Sequence, residues 1–325
     1  MQNPLLNTKD LYLQFKVYGG NLKVLNGVDF TVWPGERVGL VGETGCGKTT
    51  TMKSILRVLP VSQSKVTKGE IIFKGKDILK MSKTEIQQVR KERISMIFQD
   101  PTASLNPVFT IGNQLQDVIK FSKVSKKNNI GNKEIKAQAI AMLKKVSLPD
   151  PERMLKSFPI QLSGGMRQRV CIAMALASSN DLMIADEPGT SLDVTIKDQI
   201  LNLLSELVKN TGISIILISH ALGAVRNITD RTYVMYAGYM VEVAKTKELF
   251  NNPLHPYTKG LLNAIPRLTG KGKMKGISGY IPGYLDPPTG CRFYPRCQDA
   301  KIVCKKKKPP FIKVSEGHEV ACWLF

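Results

Sequence analysis

Short apolar runs broken by Gly and Pro dominate the chain from Leu11 to about Phe98. Val28-Asp29-Phe30-Thr31-Val32 and Arg37-Val38-Gly39-Leu40-Val41 are examples, and the pattern predicts β-strands. A helix is expected after Gly47. From about residue 112 to 178 the pattern turns mostly helical, with Lys133 to Val146 amphipathic and a polar, Lys/Asn-rich connection at Ser122 to Asn132. An inserted helical lobe over about 100–178 is the expectation. Two apolar runs follow, Leu182-Met183-Ile184-Ala185-Asp186 and Ile215-Ile216-Leu217-Ile218-Ser219-His220, each joined to helical sequence. Such runs suit buried parallel strands that present polar side chains at their carboxyl ends. Beyond about Asn252, Pro, Gly and Lys become frequent; Gly270 to Gly283 reads as a linker and Lys305 to Lys308 as a solvated charge run. This predicts an α/β domain over 1–251 and a small extension over 252–325, without internal repeats.

Composition adds constraints. At 325 residues and 42% hydrophobic, the chain can bury an ordinary core. No stretch approaches the roughly 18 continuous apolar residues of a membrane span, and Met1-Gln2-Asn3-Pro4 does not open a signal sequence. A cytoplasmic location is therefore expected. Forty-seven Lys and Arg against 26 Asp and Glu give a net charge of +21. That charge suits nucleic acid or an anionic membrane face, or simply a Lys-rich host proteome, and few of the Lys alternate with aromatics as a nucleic-acid groove would require. Cys46 and Cys171 stand alone, whereas Cys291, Cys297, Cys304 and Cys322 crowd the last 35 residues, spaced C-x₅-C-x₆-C-x₁₇-C. Clustered thiols in a cytoplasmic protein of this size point to a metal before a disulfide, and four thiolates suit iron–sulfur or zinc.

The chemistry-bearing motifs begin with Gly42-Glu43-Thr44-Gly45-Cys46-Gly47-Lys48-Thr49, a P-loop pattern set between a predicted strand and a helix, with Thr50 behind it. Its backbone N–H groups can cradle phosphate, Lys48 can reach the terminal phosphates, and the Thr49 hydroxyl can face Mg²⁺. Cys46 lies inside this cradle, where N–H dipoles and Lys48 should favour a reactive thiolate shielded by nucleotide. Asp186 and Glu187 end an apolar run, so that the first can hold Mg²⁺ and the second can orient or deprotonate water. Alone, such a pair would read as a helix cap. Ser163-Gly164-Gly165, within Leu162 to Gln168, forms a second anion-binding turn at a helix start.

With Gln99 in Phe98-Gln99-Asp100-Pro101, Asp193 in Ser191-Leu192-Asp193 and His220 after its apolar run, the ordered set resembles the ABC transporter ATPases. The resemblance implies a RecA-like P-loop NTPase core with an antiparallel β subdomain and an inserted α-helical subdomain. It implies that Gln99 senses Mg²⁺, water and the transmembrane partner, that Asp193 couples the two sites of a head-to-tail dimer, and that His220 contacts the γ-phosphate. Ser163, Gly164 and Gly165 would cap the ATP held by the other subunit. Phe15, with Tyr18 as runner-up, occupies the place of the adenine-stacking aromatic. Two positions depart from the pattern: Gly189 stands where a β-branched or small polar residue is usual, and Ala221 where an acidic one is common.

Ser104-Leu105-Asn106-Pro107, Val234-Met235-Tyr236-Ala237-Gly238, His255 to Leu262, Ile265-Pro266-Arg267-Leu268 and the Cys region narrow the resemblance to D-type subunits of dipeptide/oligopeptide importers. This implies an F-type ABC ATPase partner, two transmembrane permeases and an extracellular solute-binding protein. The chain would sit on the cytoplasmic face of the membrane, with a [4Fe-4S] cluster on the four tail cysteines and zinc as the alternative. The same motor serves oligosaccharide and nickel importers, so those solutes stay open. A soluble ABC ATPase acting on nucleic acid or ribosomes would usually carry tandem modules or long heptads, which this chain lacks. A non-hydrolysing subunit would not keep Glu187 and His220.

Overall fold

The computed structural model describes residues 3–122, 130–178, 181–190, 192–264 and 276–325. The 123–129 part of the Ser122–Asn132 connection, Ser191, Ile265-Pro266-Arg267-Leu268 and the 270–275 start of the predicted linker lie outside the described residues. Two units are distinguished: Met1–Met81 with Ser219–Phe325, and Ser82–Ile218.

In the first unit, β1 (Leu6–Val17) and β2 (Gly20–Val32) form a hairpin turning at Tyr18 and Gly19. β4 (Ser64–Phe73) and β5 (Lys76–Asp77) complete a sheet of order β2-β1-β4-β5. Leu6, Leu11, Leu13, Leu25, Val28, Phe30 and Val32 fill its buried face, the period-2 alternation that a half-solvated antiparallel sheet requires. A second sheet segment runs β11-β12-β10-β9-β3. It comprises β11 (Ile312–Ser315), β12 (His318–Val320), β10 (Tyr239–Lys245), β9 (Arg231–Tyr236) and β3 (Arg37–Val41). Only the β3–β9 pair is parallel in this segment. α1 (Lys48–Ile55) follows the phosphate-loop sequence, as expected.

The tail is stitched to β10 by β12 and by a buried polar knot. Glu242 is fully buried, and its carboxylate accepts from the N–H groups of Leu254 and His255 at 2.8 and 2.9 Å and lies 2.8 Å from Nε2 of His318. Such a group is tolerated in the interior because each oxygen has a partner.

In the second unit, β6 (Ile94–Ile97), β7 (Leu182–Asp186) and β8 (Ser214–Ile218) pair in parallel in the order β8-β7-β6. Every residue of β7 and β8 is buried, which accounts for their unbroken apolar sequences. Helices occupy the inserted stretch: α3 (Pro101–Ser104), α4 (Ile111–Phe121), α5 (Asn132–Lys145), α6 (Pro151–Lys156) and α7 (Gly164–Ala177). α5 begins one residue before the amphipathic stretch read from sequence and ends one residue earlier. The predicted β-rich stretch from Leu11 to Phe98 needs one correction, because α2 (Lys83–Glu92) lies within it. Ser82 and Glu85 close a capping box at its start, and its largely polar sequence buries only Ile86 and Glu92.

Candidate functional site

The phosphate loop leaves β3 and enters α1 by a backbone path that side chains would obstruct. Gly42 has φ 151°, and a Cβ there would stand 2.2 Å from the Met235 carbonyl oxygen. Lys48 is almost fully buried; its Nζ donates to the carbonyls of Gly42 at 2.8 Å and Glu43 at 3.0 Å, so its charge lies across the loop it closes. Thr49 and Thr50 are half-buried in the first turn of α1. Thr44 Oγ1 lies 3.3 Å from Nε2 of His220, bringing two residues predicted at one site together. A bent Gly-rich backbone, a helix N-terminus and a lysine in one place fit a nucleotide's phosphates.

Cys46 corrects an expectation. Its thiol is fully buried, and burial pushes its pKa up, a shift that the Lys48 ammonium offsets only in part. Burial thus runs against the reactive thiolate read from sequence, because desolvation in a closed loop raises the pKa more than one nearby charge lowers it.

Of the aromatic candidates, Phe15 is half-buried on β1, while Tyr18 is fully exposed at the hairpin turn.

In the second unit, Asp186 ends β7, nearly buried, and Glu187 follows with φ 49°, a left-handed conformation that non-glycine residues rarely adopt. Its N–H donates to Ile218 O at 2.9 Å. Its Oε2 accepts from Gln99 Nε2 at 3.2 Å and Thr190 Oγ1 at 3.1 Å. The strand end and these two donors hold the carboxylate, and Gln99 and Glu187 lie within hydrogen-bond distance of each other. Gly189 has φ 122°, which a β-branched residue would adopt only with strain; the first departure thus answers a backbone need. Ala221 begins α9 (Leu222–Ile228) with no side-chain cap, so the second departure leaves that helix start without the acceptor an acidic residue would supply.

Ser163 caps α7, its Oγ accepting from Met166 N at 3.3 Å, with Gly164 and Gly165 in the first turn. Asp193 caps α8 (Val194–Thr211) through Ile196 N at 3.0 Å.

In the tail, Cys291, Cys297, Cys304 and Cys322 line one cavity together with Phe293 and Trp323. All four are free thiols. Burial raises the pKa of Cys291 and Cys322 and takes Cys297 to about 11. Among the described residues, no three His, Cys, Asp or Glu side chains converge on a single-ion position. Four thiols around one cavity are a donor set whose chemistry suits iron or zinc alike.

Three residues that contact the phosphate loop, and a fourth that holds the turn beside it, carry no signal in the sequence. Tyr257 accepts from Glu43 N at 2.8 Å, Tyr284 donates to Gly45 O at 2.7 Å, Arg296 pairs with the Glu43 carboxylate, and Arg292 binds Ala237 O. Tyr257 lies within the quoted His255 to Leu262 stretch, but no local spacing signals such long-range contacts.

Comparison with known proteins agrees with this arrangement. The family model described as ABC transporter matches residues 25–190, and that for the oligopeptide/dipeptide transporter C-terminal region matches 241–304. The dipeptide transport ATP-binding protein DppD of Bacillus subtilis is 46% identical over 98% of this chain and 94% of its own length. The oligopeptide transport ATP-binding protein OppD of the same organism is 45% identical over 98% of this chain and 88% of its own. A dimeric ATP-binding cassette in a post-hydrolysis state with ADP and phosphate superposes with a TM-score of 0.65 at 25% identity, covering 74% of this chain and 98% of that one. With the phosphate loop, the Asp186-Glu187 strand end and the Ser163 turn all present in a matching α/β fold, the chain belongs to the ABC transporter ATP-binding family, in the branch that carries the oligopeptide/dipeptide transporter C-terminal region.

Proposed function

We propose that the chain is the ATP-hydrolysing subunit of a di- or oligopeptide importer, with the ATPase within 1–251 and a family-specific extension over 252–325. Near-full-length likeness to peptide-transport ATP-binding proteins carries this reading. In it, the N–H groups of 42–49 and Lys48 bind the triphosphate, and Phe15 or Tyr18 stacks on adenine. Glu187 orients and deprotonates the attacking water, and its preset carboxylate supports that role. His220, placed beside Thr44, contacts the γ-phosphate. Thr49, Gln99 and Asp186 would hold a magnesium ion, which would supply positive charge against the phosphates. Ser163, Gly164 and Gly165 would face the nucleotide of a second ATPase of the F type, with Asp193 coupling the two sites.

Two permeases and an extracellular solute-binding protein complete the proposed assembly, with this chain peripheral on the cytoplasmic face. No helix among the described residues is long and apolar enough to cross a membrane. Val108, Phe109, Phe158 and Ile160 are exposed on adjoining loops of the second unit, joined by the Ile111 N–H to Ser157 O bond of 2.9 Å. An apolar patch of this kind suits a protein partner. Purifying a tagged chain from membranes should recover two integral membrane proteins and a second ATPase; recovery with nucleic acid or ribosomes instead would refute the assignment.

Cys291, Cys297, Cys304 and Cys322 would hold a [4Fe-4S] cluster, which would supply a cross-link between separate stretches of the tail. Their common cavity supports this. Anaerobically purified protein should be brown, with broad absorbance at about 400 nm and about four irons per chain. Cys304→Ser should bleach it. A colourless protein with one stoichiometric zinc would overturn the iron assignment.

A further inference from the structure

A phosphate loop binds through its backbone, so it works only when its peptide planes are already turned the right way. In this chain several outward-facing groups of that loop are tied to the C-terminal extension. The Tyr284 hydroxyl donates to the Gly45 carbonyl at 2.7 Å, fixing the Gly45–Cys46 peptide plane. The Arg296 guanidinium forms a two-pronged pair with the Glu43 carboxylate, Nη1 to Oε2 at 2.7 Å and Nη2 to Oε1 at 3.0 Å. Arg296 is itself held rigidly. Its Nε donates to Ser278 O at 2.9 Å, Nη2 to Ile277 O at 3.1 Å and Nη1 to the Tyr236 hydroxyl at 3.3 Å, and its side chain is only 5% exposed.

The other side of the loop is braced in the same manner. Gly238 N donates to Cys46 O at 2.8 Å, and the turn carrying Gly238 is gripped by buried Arg292, which binds the carbonyls of Ala237 and Lys23. Arg292 follows Cys291 and Arg296 precedes Cys297, so one short segment bears both arginines and two of the four clustered thiols.

We propose that Tyr284 and Arg296 are positioning residues for ATP: they hold the phosphate loop in its binding shape, and Arg296 cancels the Glu43 charge beside the triphosphate. This makes the extension an element that sets nucleotide affinity, and it rests on the reading of 42–49 as the ATP-binding loop. Two effects are separable. Losing the Tyr284 hydroxyl frees one peptide plane. Losing the Arg296 cation also leaves a bare carboxylate that repels phosphate, a penalty that vanishes if Glu43 is neutralised as well.

The test is equilibrium binding of a fluorescent ATP analogue with magnesium to the full chain, in wild type, Tyr284→Phe, Arg296→Gln, Glu43→Gln and the Glu43→Gln/Arg296→Gln double variant. Tyr284→Phe, which keeps the ring, should weaken binding by about threefold to tenfold, with at most a small fall in the nucleotide-free melting midpoint. Arg296→Gln should weaken it by about tenfold or more, and the double variant should recover most of that loss. In steady-state hydrolysis, KM for ATP should rise in Tyr284→Phe while kcat at saturation stays the same. Wild-type affinity in both Tyr284→Phe and Arg296→Gln would overturn the proposal. An equal loss from Arg296→Gln with and without Glu43→Gln would also overturn it, by reducing Arg296 to a structural role. If the wild-type chain fails to bind the analogue, the ATP-site reading itself falls, a result distinct from wild-type-like variants.

Discussion

Glu187→Gln is expected to abolish steady-state ATP hydrolysis while leaving ATP bound. The carboxylate sits at the end of a wholly buried strand on a residue with φ 49°, and Gln99 and Thr190 both donate to one of its oxygens. A glutamine keeps the shape and can still accept both hydrogen bonds through its amide oxygen. What it loses is basicity toward water. A positioned general base contributes about 10²–10⁴-fold, so hydrolysis should fall by at least about a hundredfold. Phosphate release, measured with the partner ATPase's own site silenced, checks this beside an equilibrium ATP-binding assay. Hydrolysis at the wild-type rate would remove Glu187 from its assigned role.

Lys48→Ala should produce the opposite split, with nucleotide binding itself lost. Lys48 is nearly buried, and its ammonium already lies on the loop, within hydrogen-bond distance of the Gly42 and Glu43 carbonyls. Hydrogen bonds from a charged donor contribute roughly 1.5–3 kcal/mol each, so losing two to phosphate should raise Kd by about a hundredfold or more. Equilibrium dialysis with radiolabelled ATP measures it, and wild-type affinity in the variant would contradict the assignment. The contrast between the two variants separates binding from chemistry.

The parts of this fold most legible in the sequence are those where a local pattern has one physical cause. Leu182 to Asp186 matches β7 residue for residue because a strand buried on both faces must be apolar throughout. The Gly-rich loop before Lys48 could be read because a backbone cradle tolerates few other residues. α2 was hidden because its stretch is mostly polar and buries only Ile86 and Glu92, although the Ser82–Glu85 capping box was there to be seen. The state of Cys46 was misjudged because sequence shows the charge of Lys48 but not the desolvation that outweighs it. The Arg296–Glu43 pair spans 253 residues, and no short-range spacing encodes such a contact.

ATP hydrolysis at this chain's site, in the proposed role, drives peptide entry. Its most direct test is uptake of a radiolabelled peptide by cells whose own copy is deleted and replaced by the wild-type chain or by Glu187→Gln at equal abundance. Accumulation against a gradient is expected with the wild-type chain, and background uptake with Glu187→Gln. Equal uptake with the two chains, or none with either while another class of solute enters, would contradict it.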